Sequence, residues 1–186
     1  YSLAGGSKGM GYWWFTGGWP SYGLKRDAEC APLWKEMGLC GNEIKTVRDL
    51  IVRSTPLDNL GIVTQPSNKV WAKGVASSTD SMILYIVNNN YTNAGNGLTY
   101  VTNVASATVT VTLPSWMLSP LAFEVMAGGW KPVSMTATNG NQVQFNLGTL
   151  ALTRMIVLTR DPQIPLAIQN RYVSIVRPSV CTFASA

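Results

Sequence analysis

Thr108-Val109-Thr110-Val111-Thr112-Leu113 alternates hydroxyl and aliphatic side chains over six consecutive positions. Successive side chains of a strand point to opposite faces, so this stretch presents Val109, Val111 and Leu113 on one face and three threonines on the other. Val143-Gln144-Phe145-Asn146-Leu147 repeats the pattern further along the chain. Short runs rich in Val, Thr, Tyr and Ile surround them at 70–75, 81–88, 98–102, 122–126, 133–137 and 151–159. About eight such strands separated by turns predict an antiparallel β-sandwich over residues 57–160. Asn139-Gly140 between two of the runs predicts a hairpin turn whose central residues both take positive φ. The apolar run Met82 to Val87 predicts a strand buried on both faces.

Residues on either side of this region read differently. Asp161-Pro162 starts a closing helix and tail over 161–186, with Ile168, Tyr172 and Ile175 on one side and Pro165 tolerated in the first turn. At the other end, Gly6-Ser7-Lys8-Gly9-Met10-Gly11-Tyr12-Trp13-Trp14-Phe15 is a strand-length run with aromatics on both faces from Tyr12 onward. A strand apolar on both faces belongs in a covered, parallel sheet. A loop rich in Gly, Pro and aromatics follows over 16–41, and then a helix to Ser54 is expected, capped by Asn42, with Ile44, Val47, Leu50 and Ile51 on one face. Residues 1–56 thus spell one strand, one loop and one helix, a unit expected to pack on polypeptide outside this sequence.

Composition narrows the function classes. Of 186 residues 46% are apolar, which supplies a hydrophobic core, and only 12% are charged, about half the usual share. Polarity must come from Ser, Thr, Asn, Gln and Gly, a style that suits a secreted or cell-surface protein. The net charge of +5 comes from fourteen basic and nine acidic residues, and no basic run exceeds Lys25-Arg26, so a nucleic-acid partner is not expected. No apolar run approaches the roughly 20 residues of a membrane-spanning helix. The sequence begins at Tyr1 without a signal-like segment, and its natural start is expected upstream. Histidine is absent, which removes Ser-His and Cys-His catalysis and imidazole metal sites. A Cys30–Cys40 bridge is compatible with an oxidising compartment, with Cys181 left over. No metal or other cofactor is expected.

The stretch from Gly6 to Phe15, read as G-x-K-G-x-x-Y-W, resembles the last barrel strand of the large clan of retaining (β/α)8-barrel glycoside hydrolases that includes the β-galactosidases. The helix Glu43 to Ser54 is similar to the last barrel helix of that clan. The remainder, ending in Leu150-Ala151-Leu152-Thr153-Arg154-Met155-Ile156-Val157-Leu158, is similar to the β-sandwich often appended to such barrels. The resemblance implies a mainly β chain: an antiparallel sandwich preceded by the last β/α unit of an incomplete barrel. It also implies a carbohydrate substrate and a catalytic carboxylate pair on sequence before Tyr1. Retaining hydrolysis needs two carboxyl groups about 5 Å apart across the scissile bond. Asp27 and Glu29, two apart in one loop, do not suit that geometry, and no catalytic residue is assigned within this chain.

Barrel sites lie at the C-terminal ends of the strands, which here means residues 13–19. Trp13 and Phe15 share a face with the small Gly11 and point toward the barrel interior, Trp14 lies on the other face, and Trp19 follows in the loop. These four are the substrate-binding candidates, Trp13 foremost, because a flat indole packs on the C–H face of a pyranose. Core packing is the competing role for each. Trp19, Tyr22 and Trp34 read as a plug between barrel and sandwich ahead of a role as outer subsites. The Asn-rich stretch Asn88-Asn89-Asn90, with Asn93 and Asn96, reads as a turn held by local side-chain bonds, and Trp71, Trp116 and Trp130 as core or interface residues. Two other readings stay open: a non-catalytic carbohydrate-binding module, and a structural cell-surface protein.

Overall fold

The computed structural model describes residues 1–11, 31–94 and 99–178. The chain enters through a turn at residues 2–6 and reaches helices α1 (Ala31–Thr46) and α2 (Arg48–Arg53). Among the described residues twelve strands follow: β1 (Thr55–Pro56), β2 (Ile62–Gln65), β3 (Val70–Ala76), β4 (Ser81–Asn88), β5 (Tyr91–Asn93), β6 (Thr99–Val101), β7 (Val104–Thr112), β8 (Leu121–Met126), β9 (Gly129–Pro132), β10 (Thr136–Ala137), β11 (Gln142–Leu150) and β12 (Thr153–Thr159). Helix α3 (Gln163–Arg171) follows β12 and runs on into a π turn at Tyr172–Val176.

Every strand pairing among the described residues is antiparallel. Six strands form one sheet in the order β1-β3-β4-β12-β8-β9, four form a second in the order β10-β11-β7-β2, and β5 and β6 make a separate two-stranded ribbon. The Thr/Val alternation becomes β7, whose Ala107, Val109 and Val111 are fully buried and face Phe145 and Leu147 of β11 in one core. Strand β4 explains the uninterrupted apolar run 82–87. Its Met82, Leu84 and Ile86 enter the core between the two sheets, while Ile83 and Tyr85 enter a second core beneath the helices. Strand β12 does the same, with Ile156 and Leu158 on the inner side and Met155 and Val157 on the outer. A strand buried on both faces has no polar face, so it loses the alternation by which exposed strands are recognised.

Three expectations change. Residues 31–41, expected as loop, are helical: Pro32 falls in the first turn, where its missing N–H costs nothing, and Gly38 and Gly41 each cost only about 1 kcal/mol, which packing on β8 and α3 outweighs. Asn42 therefore lies inside α1, 3% exposed, with its carbonyl accepting from Thr46 Oγ1 at 2.7 Å, rather than capping a helix. Second, the described part of the expected N-terminal strand, residues 7–11, joins no sheet. Third, residues 1–8 and α2 pack on this chain's own six-stranded sheet: Leu3, Ala4, Val47, Leu50 and Ile51 share the outer core with Val75, Ile83 and Val157.

Smaller adjustments follow from local geometry. The Asn139-Gly140 hairpin joins β10 to β11, but only Gly140 has positive φ (+56°), because the loop spans three residues, with the Thr138 N–H bonded to the Gln142 carbonyl at 3.1 Å. The expected strand 133–137 is replaced by β9 and the two-residue β10. In the closing helix Asp161 Oδ1 accepts the Gln163 N–H at 2.8 Å, which satisfies one unpaired donor of the first turn. Ile168 is buried as expected, whereas Ile175 is exposed and Val176 takes the inner position beyond the π turn.

Candidate functional site

All four substrate-binding candidates, Trp13, Phe15, Trp14 and Trp19, lie outside the described residues, as do Tyr22, Asp27, Glu29, Cys30, Asn96 and Cys181. The segment leading to them is firmly held. Leu3 and Ala4 are buried, the Tyr1 ring packs against Trp71 with centroids 4.8 Å apart and planes tilted 59°, and the Tyr1 hydroxyl donates to Asn89 Oδ1. The Lys8 ammonium donates to the Ser54 carbonyl at the end of α2 and lies 3.3 Å from Ser54 Oγ. The approach Gly9-Met10-Gly11 thus leaves the sheet from a fixed point. Positive φ at Gly6 (+100°) turns the chain there, where a Cβ would also stand 3.2 Å from the Pro56 ring.

The sandwich tryptophans do not form one surface. Trp71 and Trp130 both lie beneath the helices, Trp130 against Phe123 with centroids 5.3 Å apart and planes tilted 57°, whereas Trp116 packs against the inter-sheet core from a 3-10 turn at Ser115–Met117. Trp34 lies half-buried in α1. Asparagines 88–90 combine one local side-chain bond, as expected of a turn, with bonds to segments distant in sequence. The buried Asn88 amide donates to the carbonyls of Thr102, Leu150 and Ala151 at 2.7–3.1 Å, its Oδ1 accepts the Asn90 N–H at 2.7 Å, and Asn90 Nδ2 donates to the Thr102 carbonyl at 3.1 Å. Among the described residues no group of three His, Cys, Asp or Glu side chains is arranged to hold a metal.

Titratable groups gather where α1 meets β8 and β9. Burial raises the pKa of Glu43, reinforced by the nearby carboxylates of Glu124 and Glu36 and opposed by a backbone hydrogen bond from Ala127. Glu124 is itself 6% exposed; Lys131 Nζ lies 3.1 Å from its Oε2 and Arg154 Nε 3.5 Å from its Oε1, ion pairs rather than well-aligned hydrogen bonds, since Oε2 has no hydrogen-bond partner. The Cys40 thiol is unbridged, and burial followed by the charge of Glu43 pushes its pKa up, so it stays protonated and is a poor nucleophile at neutral pH. Burial likewise raises Tyr85, whose hydroxyl is enclosed without a hydrogen-bond partner, as is the indole N–H of Trp130.

At the other end of the sandwich a cleft of about 520 Å³ opens between the segment after β1 and the end of β7. Asp58 and Asn59 line one side, Thr112, Ser115 and Trp116 the other, and Asn141 reaches in from the β10–β11 hairpin. Sequence reading passed over this site because its residues come from three separated segments, and of them only Trp116 had stood out. A second cleft of about 470 Å³ lies between α2 and α3, bridged by the Arg171–Asp49 ion pair.

The class this fold defines is a mainly β, antiparallel sandwich with a helical layer on its larger sheet. No family model and no curated protein matches the chain. Solved structures similar to it include α-L-fucosidase isoenzyme 2 from Paenibacillus thiaminolyticus, with a TM-score of 0.41 and 14% identity over 54% of this chain. A cycloisomaltooligosaccharide glucanotransferase from Paenibacillus sp., in complex with cycloisomaltoheptaose, gives a TM-score of 0.45 and 14% identity over 62% of this chain. The matched regions are 15% and 20% of those proteins' own lengths. Among the described residues no helix is long and apolar enough to cross a membrane.

Proposed function

We propose that this chain is the C-terminal part of a secreted or cell-surface glycoside hydrolase, carrying the last strand and helix of a (β/α)8 barrel and an accessory β-sandwich. The observation that carries the reading is the fastening of residues 1–8. Lys8 is tied to the end of α2, and Tyr1, Leu3 and Ala4, just before the G-x-K-G-x-x-Y-W segment, are tied to the sheet, so the described approach to that segment starts from a fixed point on the sandwich. A barrel strand that must present side chains to a substrate gains from such a rigid support.

In this mechanism the carboxylate pair that cleaves the glycosidic bond stands on upstream sequence, one carboxyl acting as acid and base and the other as nucleophile. Residues of this chain position the sugar. Trp13 forms an apolar floor under the pyranose C–H face, leaving the hydroxyls to hydrogen-bond, Phe15 extends that wall, Trp19 flanks it, and Trp14 on the opposite face supports it by packing from behind. Holding the ring in line with the carboxylates contributes to turnover as well as to binding.

The test is made on the complete protein, upstream sequence included, with a panel of aryl glycosides. Trp13→Ala is expected to lower kcat/KM by about 100-fold with little change in Tm. Trp14→Ala, on the opposite face, is expected to lower stability by about 3–5 kcal/mol with near-normal kinetics of the folded fraction. Absence of turnover on every glycoside, or a kinetically normal Trp13→Ala, overturns the reading.

A further inference from the structure

The cleft beside Trp116 combines four properties. Its volume, about 520 Å³, is in the range of small-ligand sites, roughly 300–1,000 Å³. It offers one aromatic side chain, Trp116, half-buried and held by packing on the inter-sheet core. Around it stand side chains able to donate and accept hydrogen bonds, and those of Asn59 and Ser115 have no protein partner among the described residues. Its one lining charge, Asp58, is already paired with Lys73 at 2.8 Å, so the site is close to neutral.

The walls are pre-set. The Leu57 N–H bonds to the Gly74 carbonyl at 3.0 Å, the Thr112 N–H to the Gly61 carbonyl at 2.8 Å and the Leu113 N–H to the Asn141 carbonyl at 2.9 Å, while the Asn141 amide donates back to the Leu113 carbonyl. Arg160 Nη1 donates to the Trp116 carbonyl at 3.0 Å, and the Met117 N–H to that of Pro114 at 2.8 Å, which fix the turn carrying the indole. A ligand entering such a site pays little ordering cost. An indole surface with hydroxyl and amide groups and no unpaired charge suits a ligand that alternates C–H faces with hydroxyls.

We propose that this cleft is a binding site for a neutral oligosaccharide, separate from the pocket assigned to the aromatic run after Gly11. The choice of a saccharide over another neutral polyol rests on the glycoside hydrolase reading. The role is that of an accessory site, holding a chain on the sandwich while the barrel acts on it.

The experiment uses the full chain labelled with 15N-tryptophan, titrated with neutral tri- to hexasaccharides of glucose, galactose, mannose and xylose while the indole N–H signals are followed. One series is expected to shift the Trp116 signal, assigned by its loss in Trp116→Ala, in a saturable manner. Calorimetry with that series is expected to show binding weakened about tenfold or more by Trp116→Ala, and also by Asn59→Ala, whose exposed position keeps the variant folded. Trp13→Ala should leave the saturable shift of the Trp116 signal unchanged. The proposal is overturned if no series shifts the Trp116 signal, or if Asn59→Ala binds as tightly as the parent. Turnover of aryl glycosides by the complete protein without a Trp116 shift removes this site alone, and a Trp116 shift without turnover removes the hydrolase reading alone.

Discussion

The Asn88 amide, 5% exposed, serves four backbone groups at once: the carbonyls of Thr102, Leu150 and Ala151 and the N–H of Asn90. These belong to the ends of β4, β6, β11 and the turn into β12, so one side chain joins segments far apart in sequence. Asn88→Ala is expected to cost about 1–3 kcal/mol, read as a lowered midpoint in urea with an unchanged slope, because buried carbonyls lose their donor. Glu43 gives a prediction of the opposite sign at neutral pH. Its folded pKa is raised, so the fold favours the protonated acid. The stabilisation is complete below its ordinary value of 4.5 and is lost as pH rises through the raised value. The groups facing it are Glu124, Glu36, Cys40 and the Ala127 backbone. Glu43→Gln should therefore raise Tm at about pH 8 and leave it nearly unchanged at about pH 4; equal shifts at both pH values would exclude titration of Glu43 as the cause. The sequence showed Asn88 as one of a run of asparagines and Glu43 as one of nine acids, and only burial separates them from their neighbours.

Helix α2 is six residues long, too short to stand alone, and its stability comes from Leu50 and Ile51 sunk into the outer core beside Val47. Ile51→Ala is expected to cost about 2–5 kcal/mol by leaving a cavity against β4. The Asp49–Arg171 pair joins α2 to α3, but the Asp49 side chain is 62% exposed and solvent screens the pair. Asp49→Asn should change stability by no more than about 1 kcal/mol, so thermal unfolding of the two variants separates packing from charge. The apolar face was legible from the helical spacing of Ile44, Val47 and Leu50, which the sequence presents as one helix and the structure divides between the end of α1, Val47 and α2. What that face packs on was not, because spacing identifies a surface to be buried and says nothing of its partner.

Across the whole molecule, the six-stranded sheet is covered on both sides: the four-stranded sheet seals one face, and residues 1–8 with the three helices seal the other. A fragment of residues 57–160 keeps the inter-sheet core, with Val109, Phe145 and Ile156, and is expected to unfold cooperatively with β-type circular dichroism. It also bares Val75, Ile83, Phe123, Val125 and Val157, so its Tm should fall below that of the full chain and it should bind an apolar dye or self-associate. A fragment as stable and as monomeric as the full chain would remove the helical layer from the account of stability. The sequence by itself determined the mainly β, antiparallel class and the inward face of the alternating strands β7 and β11, since side-chain direction in a strand follows from backbone pleat alone, whereas β2, β5 and β9 lie outside the runs it marked. Only the tertiary structure decided that residues 31–41 are helical, that α2 lies on this chain's own sheet, and that Asp58, Thr112, Trp116 and Asn141 line one cleft. Those outcomes depend on contacts between residues distant in sequence, where burial outweighs the local cost of two glycines and loops are brought together by the strands between them.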